Sequence, residues 1–357
     1  MRLRAPHRPR VCQAGRRLVR LRTRPSYAPR VSALPNTPDL QVVTVSVIVP
    51  AHNAERFLPD LLRALSRQEL DDDYEVVVVD DNSTDRTAEL VEAQGHPFRL
   101  VRAAGSQGAG KARNVGAASA TGSVLAFTDA DCMPAPDWLA KACLALADAD
   151  LVQGAVLPDP AGDRSSPYAR SLEVTWERGF YETANLIVRR TLFEAIGGFE
   201  DHLPALGGRP QGEDTLFGWQ ARRRGARVTF CSEAVVHHAV IPQSASEWIR
   251  DRWRWQLLPA LVSRVPELRA NALYRRWFFE HRTASFDVAL CGVVAAGLLR
   301  RPAPLVLTLR WVSLVVEESS RLPMPDAVTY PFARLAADTV SFAALARGSW
   351  AAREIVL

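Results

Sequence analysis

Lysine is nearly missing from this chain. Only Lys111 and Lys141 are ammonium-bearing among the 44 basic residues, and the bias toward arginine and alanine is that of a GC-rich, actinobacterial-like genome. Acidic residues are absent from positions 1 to 38, which hold ten arginines, so removing that segment from a net +5 leaves −5 for the rest. The basic character therefore belongs to a tail. A folded body built to hold nucleic acid is excluded, and no nucleic-acid partner is expected. Cysteines are few: Cys12, Cys132, Cys143, Cys231 and Cys291 are odd in number and widely spaced. No pair has zinc-ligand spacing, which leaves free thiols in a reducing cytoplasm. Residues 1–40 are punctuated by proline and lack apolar periodicity and any apolar core of signal-peptide length, so they read as a disordered Arg-rich tail.

What is present is enough apolar residue, 48% of 357, for a sizeable core. Thr44 to Pro50 is a nearly continuous β-branched run, as expected of a strand covered on both faces. Asn53 is placed to cap a helix reaching about Arg67, with Phe57, Leu58, Leu61, Leu62 and Leu65 in one stripe. Further strands are predicted over 75–80, 98–102 and 123–128, separated by helices over 86–93 and 111–120. This alternation predicts a parallel α/β sheet with ligands at the carboxyl ends of its strands. Later, strands are expected over 151–157, 184–188, 227–231 and 234–238, and helices over 215–224 and 244–261. Two apolar blocks, 288–299 and 305–316, are each shorter than a bilayer span, with Asp287 flanking the first and Arg310 inside the second. They could be core helices, interfacial helices or a shallow hairpin. An Arg/Trp-rich segment precedes them, as suits peripheral membrane contact.

The chemistry centres on Phe127-Thr128-Asp129-Ala130-Asp131. Alternation in an extended chain puts Asp129 and Asp131 on one face, where they repel unless a cation intervenes. A hard divalent ion with phosphate oxygens would answer that, though a polar loop or a helix cap gives the same letters. The loop ending in Gly108-Ala109-Gly110-Lys111 is not a P-loop, because Ala112 stands where a Ser or Thr is required.

Five clusters stand in order: VSVIVPAHNAE (45–55), VVVVDDNSTD (76–85), GAGKARNVG (108–116), FTDAD (127–131) and GEDTLFGWQARRRG (212–225). Together they resemble family 2 glycosyltransferases, the inverting enzymes with a GT-A fold, over residues 43 to 256. The resemblance implies a nucleotide-binding α/β sheet with helices on both faces, followed by a helical, partly apolar region. Domains are expected at 1–40 (tail), 41–256 (GT-A domain) and 257–357 (helical, membrane-associated). It implies that Pro50 and His52 flank the nucleotide base and that Asp81 accepts from uracil N3–H, as an acceptor-only carboxylate can. Arg113 and Asn114 would approach the diphosphate and Asp129 the ribose. Asp131 and His238, or the adjacent His237, would hold Mg²⁺ or Mn²⁺. Asp214 would be the general base that deprotonates the acceptor hydroxyl, with Glu213 orienting it. The processive Gln-x-x-Arg-Trp motif lacks its Gln here, since Ile249 precedes Arg250-Asp251-Arg252-Trp253. A single-sugar transfer is therefore expected, with Arg252 and Trp253 near phosphate or acceptor. The implied partners are a nucleotide-sugar donor, expected to be UDP-linked, and a lipid-linked or cell-envelope glycan acceptor. The implied place is the cytoplasm, at the inner face of the membrane. Two other readings fit parts of the pattern. A sugar-1-phosphate nucleotidyltransferase would carry a longer Gly-rich, basic signature near the first strand. A catalytically silent glycan-binding scaffold would have no need of Asp131 and Asp214.

Overall fold

The computed structural model describes residues 45–70, 73–105, 108–200, 205–206 and 209–357; the expected tail lies outside them. The first half alternates as β1 (Val45–Ala51), α1 (Leu58–Leu65), β2 (Tyr74–Asp80), α2 (Thr87–Glu92), β3 (Phe98–Arg102), α3 (Ala109–Ser119) and β4 (Val124–Phe127). Then come β5 (Cys132–Pro134), α4 (Trp138–Leu146), β6 (Leu151–Pro158), β7 (Leu186–Arg189) and α5 (Arg190–Ile196). A small hairpin, β8 (Ala205–Leu206) and β9 (Arg209–Pro210), precedes α6 (Glu213–Arg223) and β10 (Val228–His238). The remainder is helical: α7 (Ala245–Asp251), α8 (Leu258–Arg264), α9 (Leu268–Asn271), α10 (His281–Leu299), α11 (Leu309–Ser319) and α12 (Asp326–Ala352).

One sheet of eight strands, ordered β3-β2-β1-β4-β7-β6-β10-β5, carries the site. Every residue of β1 is buried, and alternation divides its side chains between two cores. Val45, Val47 and Val49 join Leu58, Leu61, Leu65 and Trp138 on one face. Ile48 joins Ala112, Phe127, Phe193 and Phe217 on the other. Helix α3 lies close against β1 because residue 116 is glycine: a Cβ there would sit 2.5 Å from Cγ2 of Ile48.

The parallel arrangement predicted from alternation holds for β3-β2-β1-β4. Beyond it the sheet is mixed, since β7 runs antiparallel to β4 and β6, and β5 antiparallel to β10. The two strands expected over 227–238 are one, β10, with a register shift between Cys231 and Val235. Buried Asn185 spans that irregularity: its amide donates to the carbonyls of Ala155 and Ala234 at 2.8 Å, while its Oδ1 accepts from the Trp138 indole at 2.8 Å. The helix expected over 244–261 is broken. Residues Arg252–Leu257 tighten into a 3₁₀ turn, and Pro259, which has no N–H to give, opens α8. Asn53 does not cap α1. It sits in the left-handed region (φ 49°), and α1 begins after Phe57.

Candidate active site

The polar clusters meet at the carboxyl edge of the parallel strands, where Ala51 is paired with Asp80 and Ile48 with Phe127. Loops after β1 and β2 are stitched side chain to backbone. Asn53 Oδ1 accepts from the Thr84 N–H (2.8 Å), Asp85 from that of Glu55 (3.1 Å), and Glu55 from that of Arg86 (3.2 Å). Asp81 is buried; its Oδ2 accepts from the Gly108 N–H (2.9 Å), and its carbonyl lies 2.8 Å from His52 Nδ1. Pro50, His52, Asp81 and Gly108 form one wall of a cavity of about 900 Å³, and Glu213 and Asp214 line the same cavity. The expected base-binding residues are thus brought together with the expected catalytic pair.

Arg113 is the link between donor edge and catalytic pair. It is buried and donates through Nη2 to Asp129 (2.7 Å) and through Nη1 to Glu213 (3.1 Å). Burial works against its charge, but Asp129 and Glu213 outweigh that and raise its pKa. Both Nη groups are engaged with carboxylates, so Arg113 positions the acidic residues. Asn114 is not at the cavity, contrary to expectation. Its Nδ2 donates to the Phe199 carbonyl (2.8 Å) and its Oδ1 accepts from the Phe199 N–H (2.9 Å). Both ends of its amide tie α3 to the turn after α5, so the side chain serves the fold there.

Asp214 stands in the first turn of α6, beyond the left-handed Gly212, and accepts from the Thr215 N–H at 2.7 Å. Burial raises its pKa well above the ordinary carboxylate range, reinforced by Glu213 and Glu182. Glu182 is itself raised by burial and pairs with Arg178 at 3.2 Å. Sequence reasoning missed Glu182, because a lone acidic residue in an irregular stretch carries no pattern.

Asp131 and His238 meet because β5 pairs with β10, setting Cys132 opposite His238. His238 Nε2 lies 3.5 Å from Asp131 Oδ2, and its Nδ1 lies 2.8 Å from the Ala239 carbonyl. With Nδ1 donating to that carbonyl, a neutral His238 turns a lone pair toward a carboxylate. Only a proton or a cation between them relieves that repulsion. The pair therefore fits a divalent ion. Among the described residues no third His, Cys, Asp or Glu completes a cluster, so oxygens from phosphate and water would fill the remaining positions. Strand alternation turns His237 to the opposite face.

Arg252 also lines the cavity, its guanidinium 4.6 Å from the Trp248 ring and 4.9 Å from that of Trp255. Trp253 does not line it and is 39% exposed. The helix break turns it outward, so the aromatic partners of Arg252 are Trp248 and Trp255.

An α/β sheet that sets Asp81, Glu213 and Asp214 on a cavity, with Arg113, Asp129 and the Asp131–His238 pair close to that sheet edge but not on the cavity lining, has the architecture of a GT-A transferase. Residues 46–200 match the family described as Glycosyl transferase family 2. Glycosyltransferase AglE of Haloferax volcanii is 30% identical over 211 residues, covering 56% of this chain and 67% of AglE. Poly(ribitol-phosphate) β-N-acetylglucosaminyltransferase TarS of Staphylococcus aureus is 41% identical over 90 residues, 24% of this chain and 16% of TarS. The solved structure of mannosyltransferase PcManGT from Pyrobaculum calidifontis, in complex with GDP-Man and Mn²⁺, shares the fold with a TM-score of 0.63 at 22% identity, covering 87% of this chain and 88% of that one. The chain belongs to glycosyltransferase family 2.

Proposed function

We propose that this glycosyltransferase moves one sugar from a nucleoside-diphosphate donor, UDP-linked, to a hydroxyl on a lipid-linked or cell-envelope glycan precursor. The observation that carries the reading is Asp214: a carboxylate of raised pKa on the cavity wall, facing the same space as the base-binding residues. An inverting transfer needs a general base for the acceptor hydroxyl, and a raised pKa makes Asp214 a stronger one than a free carboxylate. The acceptor oxygen attacks the anomeric carbon, the carbon–oxygen bond to the diphosphate breaks with its electron pair, and the acceptor proton passes to Asp214. Glu213 and Asp129, held by Arg113, keep the base and the donor site in one register. Asp131 and His238 would hold Mg²⁺ or Mn²⁺, which would neutralise charge on the departing nucleoside diphosphate. That PcManGT was solved with GDP-Man and Mn²⁺ supports metal use and makes GDP-sugars the alternative donors. Cys132, Cys231 and Cys291 are free thiols, as suits work in the cytoplasm at the inner face of the membrane.

The test is donor hydrolysis by the purified chain across UDP-, GDP- and dTDP-sugars, with Mn²⁺ and with EDTA. Slow release of one nucleoside diphosphate is expected, lost in EDTA and in Asp131→Asn. Undiminished release in EDTA would remove the metal from the proposal, and no release from any donor would remove the donor class.

A further inference from the structure

The helices after residue 281 turn apolar side chains outward. Val288, Val293, Val294, Leu298 and Leu299 of α10 are exposed, Leu298 to 80%. So are Leu305, Val306 and Leu307 in the 3₁₀ turn between α10 and α11, and Leu309, Val312 and Val316 of α11. The two stretches form one compact hairpin, in which α10 crosses the turn closely at Gly292: a Cβ there would lie 2.7 Å from the Pro304 carbonyl oxygen. From 288 to 316 the only charged residues are Arg300, Arg301 and Arg310. All three are exposed, and none is ion-paired to a described residue. Acidic residues stand only at the ends of the stretch, Asp287 half-buried and Glu317 paired with Arg321 at 2.6 Å, so the unpaired charge on the apolar face is positive.

We propose that this hairpin face is a docking site for an anionic phospholipid bilayer, on which α10 and α11 lie in the interface plane. Charge selects this occupant. Phosphate headgroups neutralise three unpaired guanidinium groups and the acyl boundary takes up the valines and leucines, whereas a second copy of the same face would set arginine against arginine. Helix α10 is long and apolar enough by composition to cross a membrane. Its first half argues for lying on the surface instead. Arg282, Thr283, Ala284 and Phe286 are buried against protein, with Arg282 ion-paired to Glu318 and Phe286 packed 5.7 Å from the Trp311 ring. Spanning would strip that ion pair of its surroundings, while the exposed stretch Val293–Leu299 is only about 10 Å long at 1.5 Å per residue.

The Arg-rich tail would itself adhere to anionic vesicles, so the test must report on the face. Cys291 lies on α10, three and seven residues before Val294 and Leu298. An environment-sensitive NBD label is placed there in the full chain carrying Cys12→Ser, Cys143→Ser and Cys231→Ser. With vesicles of phosphatidylcholine and phosphatidylglycerol, the emission is expected to shift to the blue and brighten. The double variant Val294→Glu/Leu298→Glu should lose that response while keeping the same circular dichroism and melting temperature. Arg300→Ala, Arg301→Ala and Arg310→Ala should each weaken the response about five-fold, the share of one basic residue near an anionic surface. A label that stays in water while the chain sediments with vesicles would overturn the proposal and assign binding to the tail. So would a dimer in sedimentation equilibrium that the double variant dissolves. No sugar is transferred in this assay, so its failure leaves the donor chemistry untouched.

Discussion

In the sheet region, valines fill the interior and the polar residues collect at one edge. In the last hundred residues an apolar core persists around Val262, Leu268 and Leu345, but beside it this order is partly reversed. Arg282, Arg334, Asp338 and Ser341 are buried, while Val294, Leu298 and Phe332 face outward. The inner charges are not stranded: Arg334 Nη2 donates to the Tyr330 hydroxyl oxygen at 2.8 Å, and the Trp311 indole donates to Asp338 at 2.7 Å. A buried ionic network with an apolar exterior is costly in water, because it gives up hydrophobic burial and desolvates charge. It makes sense where the exterior has an apolar partner. On the reading proposed here, the sheet region is organised around a reaction and the helical region around a lipid surface.

The comparison can be broken at its strongest point first. Asp214→Asn should lower transfer by about 10³-fold, within the range for a lost general base. Because burial raises the Asp214 pKa, activity of the wild type should climb with pH through a value above the ~3.9 of a free aspartate. The linkage has the opposite sign for stability. A raised folded pKa means stability that is present at low pH and lost as pH rises through that value. Asp214→Asn should then melt higher than wild type at neutral pH, with the gain vanishing in acid, as a calorimetric pH series would show.

Arg113→Ala comes next. It leaves Asp129 and Glu213 facing each other without their cation, and a loss of about 3–5 kcal/mol is expected in chemical denaturation. Asn185→Ala removes the partner of two buried carbonyls and one indole, and should cost about 1–3 kcal/mol with little change in donor affinity. The smallest effect should come from the helical region. Phe332, 73% exposed, should accept Phe332→Ser in solution within about 0.5 kcal/mol. A large loss there would mean that the outward apolar residues serve the fold, and the contrast between the regions would fail.

Much of the sheet region was legible because each of its elements has a local signature. Buried strands read as β-branched runs, and each ends in a polar cluster whose order alone gave the edge of the sheet. The pairing of Asp131 with His238 was legible through resemblance, but the strand pairing that creates it was not, since no local pattern announces that β5 returns antiparallel to β10. Asn114 was expected at the diphosphate from the resemblance, whereas its amide serves a turn 85 residues away. Trp253 was expected near phosphate or acceptor because it stands in the place of the motif's Trp, and it lies off the cavity where the helix gives way to a 3₁₀ turn. Glu182 and Asn185 were invisible: single polar residues act here through tertiary neighbours. In the helical region the blocks were visible as apolar, but which of their side chains turn outward was visible only in the structure.

The most direct measurement compares Asp214→Asn with wild type in two assays on the same preparation, donor binding by calorimetry in Mn²⁺ and donor turnover. The account predicts an unchanged donor affinity with turnover to acceptor lost. Retained turnover would contradict the assignment of Asp214 as the base. An equal collapse of binding and turnover would make it part of the donor site instead.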